Sequence, residues 1–302
     1  MKNYQRLSLS LLMLGICSTL AARSSLHAAL ITPGAGSFQF VDNLGNADKP
    51  IRVWFYCPEQ PTPATPIVFV MHGVQRNGER YRNEWQDYAQ KYNFLLLCPE
   101  FDEKNYPTDA YQWGNMFDAQ KHPLPESKWT FTAVEHLFDF AKNVTGDSSP
   151  TYFIFGHSAG GQFVHRFALF MPRARYARAI AANPGWYTMP TYTGHKFPYS
   201  LRDSNLPEAR LRESFGRDFL LMLGEEDQDP NDPELRKTTE AEEQGKTRFE
   251  RGHTYFQAAE AEAASLHANF NWQMATVPGA HHSDKQMARA AILQFFKKPD
   301  AP

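Results

Sequence analysis

The sequence predicts an α/β protein with a mostly parallel sheet and helices on both faces. Short apolar runs typical of buried strands alternate with longer amphipathic stretches typical of helices. Three of the predicted strands are followed at once by chemically reactive side chains: a serine, a group of acidic residues and two histidines. The chain has 302 residues, which is enough for one large domain of this class.

The strands follow from their composition and their bounding turns. The first two, 37–41 and 51–57, are joined by a Gly/Asn/Asp turn and are expected to form a hairpin. The third, 66–71, is continuously apolar, as in a strand that is buried on both faces. The five others are predicted at 94–97, 152–155, 176–182, 218–223 and 270–277.

Helices are predicted between the strands from the spacing of their apolar residues. Their ranges are 79–92, 131–144, 159–170, 254–267 and 284–296. The long segment 104–127 is polar and aromatic, 188–216 is irregular, and 228–252 is highly charged, so we interpret these three as loops, the last of them with a helix within it.

Residues 1–29 have the pattern of a signal peptide, and 30–302 are then expected to form a single domain. Lys2 and Arg6 precede an apolar stretch, 7–22, that is short for a membrane span, and small residues near Ala22 or Ala29 offer cleavage sites. We therefore expect a secreted or periplasmic protein. A lipid anchor on Cys17 is the alternative, which the bulky residue before that cysteine disfavours.

Without residues 1–29 the chain has a net charge of about −5, because three basic and no acidic residues are lost. A mildly acidic surface argues against nucleic acid or an anionic membrane as the main partner. The predicted partner is a small-molecule or polymeric substrate, with no stable membrane insertion. We expect no cofactor and no metal, because the sequence contains no dinucleotide fingerprint, phosphate-binding loop or metal-ligand spacing.

One predicted strand runs directly into Gly156-His157-Ser158-Ala159-Gly160-Gly161, and a helix-like stretch follows. A serine between glycines can occupy a tight strand-to-helix turn, because residues without a Cβ let neighbouring chain approach. Such a turn holds the hydroxyl above the sheet edge, where it can act as a nucleophile and where an oxyanion can be bound. The alternative is a Gly-rich turn in another kind of α/β protein.

Other motifs occur in a matching order: His72-Gly73 after an apolar strand, Glu84-Trp85, Pro99-Glu100 and Val277-Pro278-Gly279-Ala280-His281-His282. With these motifs the chain, over about 36–297, resembles the α/β-hydrolase superfamily, and within it secreted esterases of the polyhydroxybutyrate-depolymerase and feruloyl-esterase kind. The resemblance implies the α/β-hydrolase fold, with a mostly parallel eight-stranded sheet, helices on both faces and an antiparallel second strand.

The resemblance also implies a Ser-His-Asp triad with Ser158 as nucleophile. His281 and His282 are adjacent, and the family pattern selects His282 as the base, with His281 at a position where glycine is usual. For the acid it selects Asp227, with Asp229 as the runner-up.

Two backbone amides are expected to bind the oxyanion. Ala159 begins the helix after Ser158, where the amide is free and the helix dipole assists. The second donor should come from the loop after His72, with Val74 preferred and Gln75 possible. The His72 ring itself is expected to hold this loop by hydrogen bonds.

Aromatic residues near the predicted strand ends suggest a substrate cleft. Trp186, Tyr187 and Trp113 are the candidates for substrate binding. The alternative is that these residues simply cover the sheet. The implied fold also places Cys57 and Cys98 at opposite edges of the sheet, so we expect no disulfide between them.

These features together predict a serine esterase that works through an acyl-enzyme intermediate. A peptidase or amidase with the same triad is one alternative, and a catalytically silent polymer-binding protein is another. Feruloyl, acetyl, aliphatic and polyester substrates all remain open.

Overall fold

The computed structural model describes residues 30–296, so the predicted signal peptide lies outside the described part. Within it, one sheet has eight strands in the order β1-β2-β4-β3-β5-β6-β7-β8. The strands are β1 Gly34–Phe40, β2 Ile51–Cys57, β3 Ile67–Met71, β4 Leu95–Glu100, β5 Tyr152–His157, β6 Tyr176–Ala182, β7 Phe219–Gly224 and β8 Gln273–Val277. β2 is antiparallel to both of its neighbours, and the other pairs are parallel.

Eight α-helices and one short 3₁₀ helix, Glu126–Lys128, occur in residues 30–296. They are α1 Gly78–Tyr92, α2 Thr108–Tyr111, α3 Thr130–Thr145, α4 Ala159–Phe170, α5 Glu208–Phe215, α6 Thr239–Glu242, α7 Arg248–Ser265 and α8 Asp284–Phe295. The buried apolar residues form two clusters, one on each face of the sheet. One cluster includes α1 and α8, and the other includes α3, α4, α5 and α7.

The predicted architecture agrees with this fold, and the differences lie in two short helices, α2 and α5, that form inside segments interpreted as loops, and in the bounds of some strands and helices. Helix α5 forms inside the predicted irregular segment. Helix α7 begins six residues earlier than predicted, because Thr247 and Glu250 form a capping box that starts the helix at Arg248. Strand β8 begins three residues later than predicted, at Gln273. The preceding residue, Trp272, donates its indole N–H to the Ser214 carbonyl, 2.7 Å away.

Cys57 and Cys98 are buried free thiols. They lie on neighbouring strands, but Cys98 is opposite Trp54 in the register, three residues from Cys57. This offset is about 10 Å along the strand, beyond the reach of a disulfide. The two cysteines are therefore separated along the strands rather than across the sheet.

Candidate functional site

Ser158 lies at the sharp turn between β5 and α4. Its backbone has φ 57° and ψ −114°, a region that residues with a side chain rarely occupy. The Ser158 amide donates to the Ala182 carbonyl at the end of β6, 3.0 Å away, which anchors the turn to the sheet. Strain of this kind costs about 1–3 kcal/mol and persists where the surrounding structure requires it.

Two glycines make this turn possible by allowing backbone to approach closely. A Cβ added to Gly156 would lie 2.1 Å from the Gly160 carbonyl oxygen, and one added to Gly160 would lie 2.1 Å from the Met71 carbonyl oxygen. Both distances are far below contact distance, so the β5–α4 turn packs against itself and against the end of β3. The Gly-x-Ser-x-Gly pattern therefore follows from steric need at each glycine.

Asp227 and His282 are hydrogen-bonded across two loops that follow neighbouring strands, β7 and β8. The distance from His282 Nδ1 to Asp227 Oδ2 is 2.7 Å. Asp227 is buried, and the His282 side chain is 17 % exposed. The structure thus brings His282 against Asp227, whereas the His281 residue is exposed and exposed Asp229 accepts from the Asn231 amide.

The His282 loop is held by contacts with the end of β7 and with Asn183 after β6. Asn183 accepts from the Gly224 amide at 2.7 Å and donates to the His281 carbonyl at 3.2 Å. A Cβ on Gly224 would lie 2.5 Å from the Ala280 carbonyl oxygen, so the loop lies directly on the β7 terminus. Asn183 was not singled out in the sequence, although its place in Asn-Pro-Gly after a strand was a usable signal.

The His282 ring is linked to the serine turn through His157, the residue before Ser158. The two imidazoles have their centroids 4.6 Å apart at an interplanar angle of 41°. His157 is buried. Its pKa is held well below the ordinary value for histidine, mainly by this burial and to a smaller extent by the charge of His282. A neutral, packed ring therefore lies against His282.

Two polar side-chain atoms at this site have no hydrogen-bond partner among residues 30–296. His282 Nε2 is buried and unpaired, and the Ser158 hydroxyl makes no bond in the described part of the chain. His282 Nδ1 is bound by a carboxylate, so the neutral ring carries its proton on Nδ1 and leaves Nε2 as a proton acceptor.

A buried arginine on the first turn of α7 lies behind Asp227. Arg248 Nη1 is 3.2 Å from Asp227 Oδ1 and 2.8 Å from Asp232 Oδ2. Sequence reasoning missed Arg248, because it lies in a charged segment that was interpreted as a solvated loop. No local pattern distinguishes it from the other charged residues there.

Comparison with solved structures gives the chain's relatives. It is 40 % identical to poly(aspartic acid) hydrolase-1 from Sphingomonas sp. KT-1, over 87 % of this chain and 98 % of that one, with a TM-score of 0.83. It is 33 % identical to the poly(3-hydroxybutyrate) depolymerase LpqC from Bordetella parapertussis, over 91 % and 96 % of the two chains, with a TM-score of 0.84. The chain is an α/β-hydrolase of the polyhydroxybutyrate-depolymerase kind. An S-formylglutathione hydrolase from Agrobacterium tumefaciens, 15 % identical with a TM-score of 0.56 over 88 % and 94 % of the two chains, shares the fold.

No protein-family model matches the chain, and no curated protein matches it. The relationship to these hydrolases therefore rests on the fold together with the identity to the first two. Among the helices of residues 30–296, none has the length and apolar character to cross a bilayer.

In this hydrolase the loop after β3 faces Ser158. A Cβ on Gly73 would lie 3.9 Å from the Ser158 Cβ. His72 holds the loop: its Nε2 accepts from the Phe101 amide at 3.0 Å, and its Nδ1 is 3.0 Å from the Gly73 carbonyl oxygen. Complete burial lowers the pKa of His72 to about 3, so the ring is neutral and supports the loop that carries Val74.

An aromatic-lined cavity of the hydrolase lies between the loops that follow β4 and β6. Its volume is about 360 Å³, within the range of ligand pockets. Its lining residues are Asp109, Trp113, Met116, Phe117, Lys121, Lys196, Phe197, Pro198 and Asp203. Both loops leave the carboxyl ends of parallel strands, the edge that also carries Ser158, so the cavity belongs to the side of the sheet where α/β proteins bind ligands.

The three candidate substrate-binding residues occupy different environments. Trp113 is half-buried and lines the cavity. Trp186 is 2 % exposed and meets Trp113 edge-on, with centroids 6.3 Å apart. Tyr187 is fully buried and stacks on Tyr255 at 4.5 Å, so its side chain faces the core behind β6 and not a cleft.

Trp186 is flanked by two arginines that sequence reasoning did not identify. The guanidinium carbons of Arg166 and Arg236 lie 4.3 and 4.8 Å from its ring centre. Neither arginine has a carboxylate within 4.0 Å among the described residues. Arg166 is fully buried, which lowers its pKa to about 9, and Arg236 donates to the Tyr199 hydroxyl at 2.7 Å. The surroundings of Trp186 are therefore both aromatic and positively charged.

Proposed function

We propose that this α/β-hydrolase is a serine esterase, with Ser158 as nucleophile, His282 as general base and acid, and Asp227 as the group that orients His282. The observation that carries the proposal is the 2.7 Å bond between His282 and buried Asp227, beside a serine with strained backbone angles. A carboxylate on Nδ1 fixes the tautomer of the ring and stabilises the imidazolium that forms during catalysis.

The reaction proceeds in two steps. His282 Nε2 takes the Ser158 proton as Oγ attacks the ester carbonyl, and then gives the proton to the leaving alcohol. Water activated by the same nitrogen hydrolyses the acyl-enzyme. The amides of Ala159, at the N-terminus of α4, and Val74, on the loop facing Ser158, bind the oxyanion; a single donor of this kind is worth about 2.7–4 kcal/mol in other hydrolases.

The substrate is a carboxylic ester with an apolar group that enters the Trp113 cavity, and the protein works outside the cytoplasm. An aromatic-walled cavity of about 360 Å³ suits an acyl chain or a polymer segment. One relative is a poly(3-hydroxybutyrate) depolymerase, and poly(3-hydroxybutyrate) is a polyester. The signal-peptide pattern of residues 1–29 supports export.

The test is turnover of p-nitrophenyl esters from acetate to decanoate by the wild type, Ser158→Ala and His282→Ala. We expect both variants to lose several orders of magnitude in kcat. Ser148→Ala, which alters an exposed serine bonded to the Pro63 carbonyl, is the matched control and should retain wild-type turnover. Undiminished ester turnover by Ser158→Ala would contradict the proposal.

Amide hydrolysis by the same residues is the second candidate function. The 40 % identical relative is a poly(aspartic acid) hydrolase, and the bonds of that polymer are amides. The partly exposed Arg236 beside Trp186, which has no carboxylate within 4.0 Å among the described residues, would attract the carboxylates of such a polymer. Amine release from poly(aspartic acid), measured beside acid release from oligomeric 3-hydroxybutyrate, separates the two candidates. A silent binding protein would hydrolyse neither and would not react with a fluorophosphonate.

A further inference from the structure

Four ionisable groups form a row that begins at His282 and runs away from Ser158. His282 is bonded to Asp227, Asp227 to Arg248, and Arg248 to Asp232, at 2.7, 3.2 and 2.8 Å. Arg248 is 3 % exposed and Asp232 23 % exposed at the side chain. When His282 is protonated, the charges alternate in sign along the row.

We propose that Arg248 is a positioning residue for Asp227, and that Arg248 and Asp232 act in opposite directions on the pH at which His282 becomes an active base. This inference rests on the proposed function of Ser158, His282 and Asp227. Arg248 touches neither the substrate nor the reacting atoms, so it acts through Asp227.

Helix α7 holds Asp227 at two points. Arg248 Nη1 binds Oδ1, which leaves Oδ2 for His282, and the Phe249 amide donates to the Asp227 carbonyl at 3.3 Å. A carboxylate can rotate about its last bond between two nearly equivalent settings, and the bond from Arg248 selects one. The capping box of Thr247 fixes the first turn of α7 and with it the backbone of Arg248.

The electrostatic effect follows from burial. Charges that are enclosed by protein interact more strongly and are less screened by salt than surface charges. The positive charge of Arg248 opposes a positive charge on His282 and so favours the neutral, active base. Asp232 counters this effect, and the bond from Arg248 lowers the pKa of Asp232, which keeps it ionised.

Other ionisable groups face the same region from β5, α1 and α8. His157 on β5 lies against His282 but is held neutral by burial. Arg80 on α1 and Asp284 on α8 form an ion pair of 2.8 Å whose charges offset each other. Arg251 on α7 is close enough to Arg248 for the two charges to repel, and it donates to backbone carbonyls; buried Tyr187 lies near Asp227. Neither of these two, nor Glu225, Glu226 or His281, has a side-chain bond to Asp227 or Arg248 in residues 30–296. Arg248 and Asp232 are thus the pair whose removal should have opposite effects.

The experiment measures the second-order rate of Ser158 labelling by a fluorophosphonate between pH 5 and pH 9, which requires no knowledge of the natural substrate. In Arg248→Gln we expect the acid limb of the pH–rate profile to shift to higher pH by about 0.5–1 unit, because a nearby positive charge is lost. The labelling rate on the plateau should fall by about tenfold. In Asp232→Asn the acid limb should shift to lower pH by roughly a few tenths of a unit, because a nearby negative charge is lost. Arg248→Lys keeps the charge and should return the limb close to its wild-type position.

Matched controls remove the same charges elsewhere. Asp229→Asn alters an exposed aspartate in the same loop that bonds only to the Asn231 amide, and Arg289→Gln alters an exposed arginine on α8. Both should keep the wild-type limb. Circular dichroism and melting temperature report whether each variant is folded. If Arg248→Gln is unfolded, the acid limbs of Asp232→Asn and Arg248→Lys test the inference instead.

Limbs that stay at the wild-type pH, or that move in the same direction in Arg248→Gln and Asp232→Asn, would overturn the inference and leave Arg248 a structural residue. Absence of labelling in the wild type, or equal labelling of Ser158→Ala, is a different result. It would overturn the proposed function itself.

Discussion

The imidazole of His157 packs on the imidazole of His282, with centroids 4.6 Å apart. His157 immediately precedes Ser158 on the strained turn, so this contact connects the serine turn directly to the loop after β8. His157 Nδ1 also lies 3.4 Å from the Tyr81 hydroxyl of α1. The residue between glycine and serine in the pentapeptide therefore supports the position of His282 as well as the turn.

Replacement of His157 by alanine should lower kcat by about tenfold or more while KM changes little. The substitution leaves space beside the His282 ring, and a small displacement of a catalytic group can cost 10²-fold in rate. Steady-state kinetics on a p-nitrophenyl ester check this. His267→Ala, on an exposed loop, is the control, and an equal loss of kcat in that variant would show that the His157 contact has no special role.

Replacement of Gly160 by alanine should abolish activity and destabilise the protein. The added methyl would lie 2.1 Å from the Met71 carbonyl oxygen and 2.9 Å from that of His72, so either α4 or the loop after β3 must move. Gly216→Ala is the matched control, because its Cβ would meet no atom nearer than 3.4 Å. Thermal melting and labelling by a fluorophosphonate measure both effects; a Gly160→Ala protein with wild-type labelling would contradict this close packing.

Replacement of Trp113 by alanine should shift the preference of the enzyme toward longer acyl chains. Trp113 forms one wall of the 360 Å³ cavity, and its removal enlarges the apolar space. Comparison of kcat/KM across p-nitrophenyl acetate, butyrate, octanoate and decanoate measures the shift. Tyr187→Phe, inside the core, should leave the preference unchanged, and an unchanged profile in Trp113→Ala would place the acyl site elsewhere.

Glu84 on α1 should make stability depend on pH. Burial, assisted by a hydrogen bond with Asp284, raises the pKa of Glu84 to about 7 from an ordinary 4.5. Because the folded state favours the protonated form of Glu84, this residue contributes its full stabilisation of the fold below about pH 4.5. The contribution is lost as the pH rises through about 7.

Glu84→Gln removes this dependence. The variant should gain stability relative to the wild type at pH 8 and show no such gain at pH 4.5. Urea denaturation at both pH values measures it, with Glu59→Gln, an exposed residue, as the control. A difference between variant and wild type that is the same at both pH values would contradict the assignment.

The sheet was predictable from the sequence because its signals are local. The runs that became β2, α4 and β6 were predicted with the bounds that the structure has, since an apolar strand or an amphipathic helix carries its pattern in its own residues. The Ser158 turn was predictable because a serine between glycines, directly after an apolar strand and before a helix, is a pattern of a few consecutive residues.

The environments of the aromatic residues could not be predicted from the local sequence pattern. Trp113 and Tyr187 both follow strand ends and look alike in sequence, yet one lines a cavity and the other stacks on Tyr255 in the core. The difference depends on α7, which supplies Tyr255 from a distant part of the chain. Helix α5 was missed because its few apolar residues are packed by distant elements rather than by a strong repeat of its own.

The sequence by itself thus determined the order of strands and helices, the strained serine and the loops in which an acid and a histidine had to be sought. The family resemblance selected His282 and Asp227 from those loops; tertiary structure brings the two into contact and adds Arg248 and Asp232 behind them. The physical reason is that strand and helix propensities act over a few residues. A hydrogen bond between side chains depends on atomic positions that are set only when β7, β8 and α7 pack together.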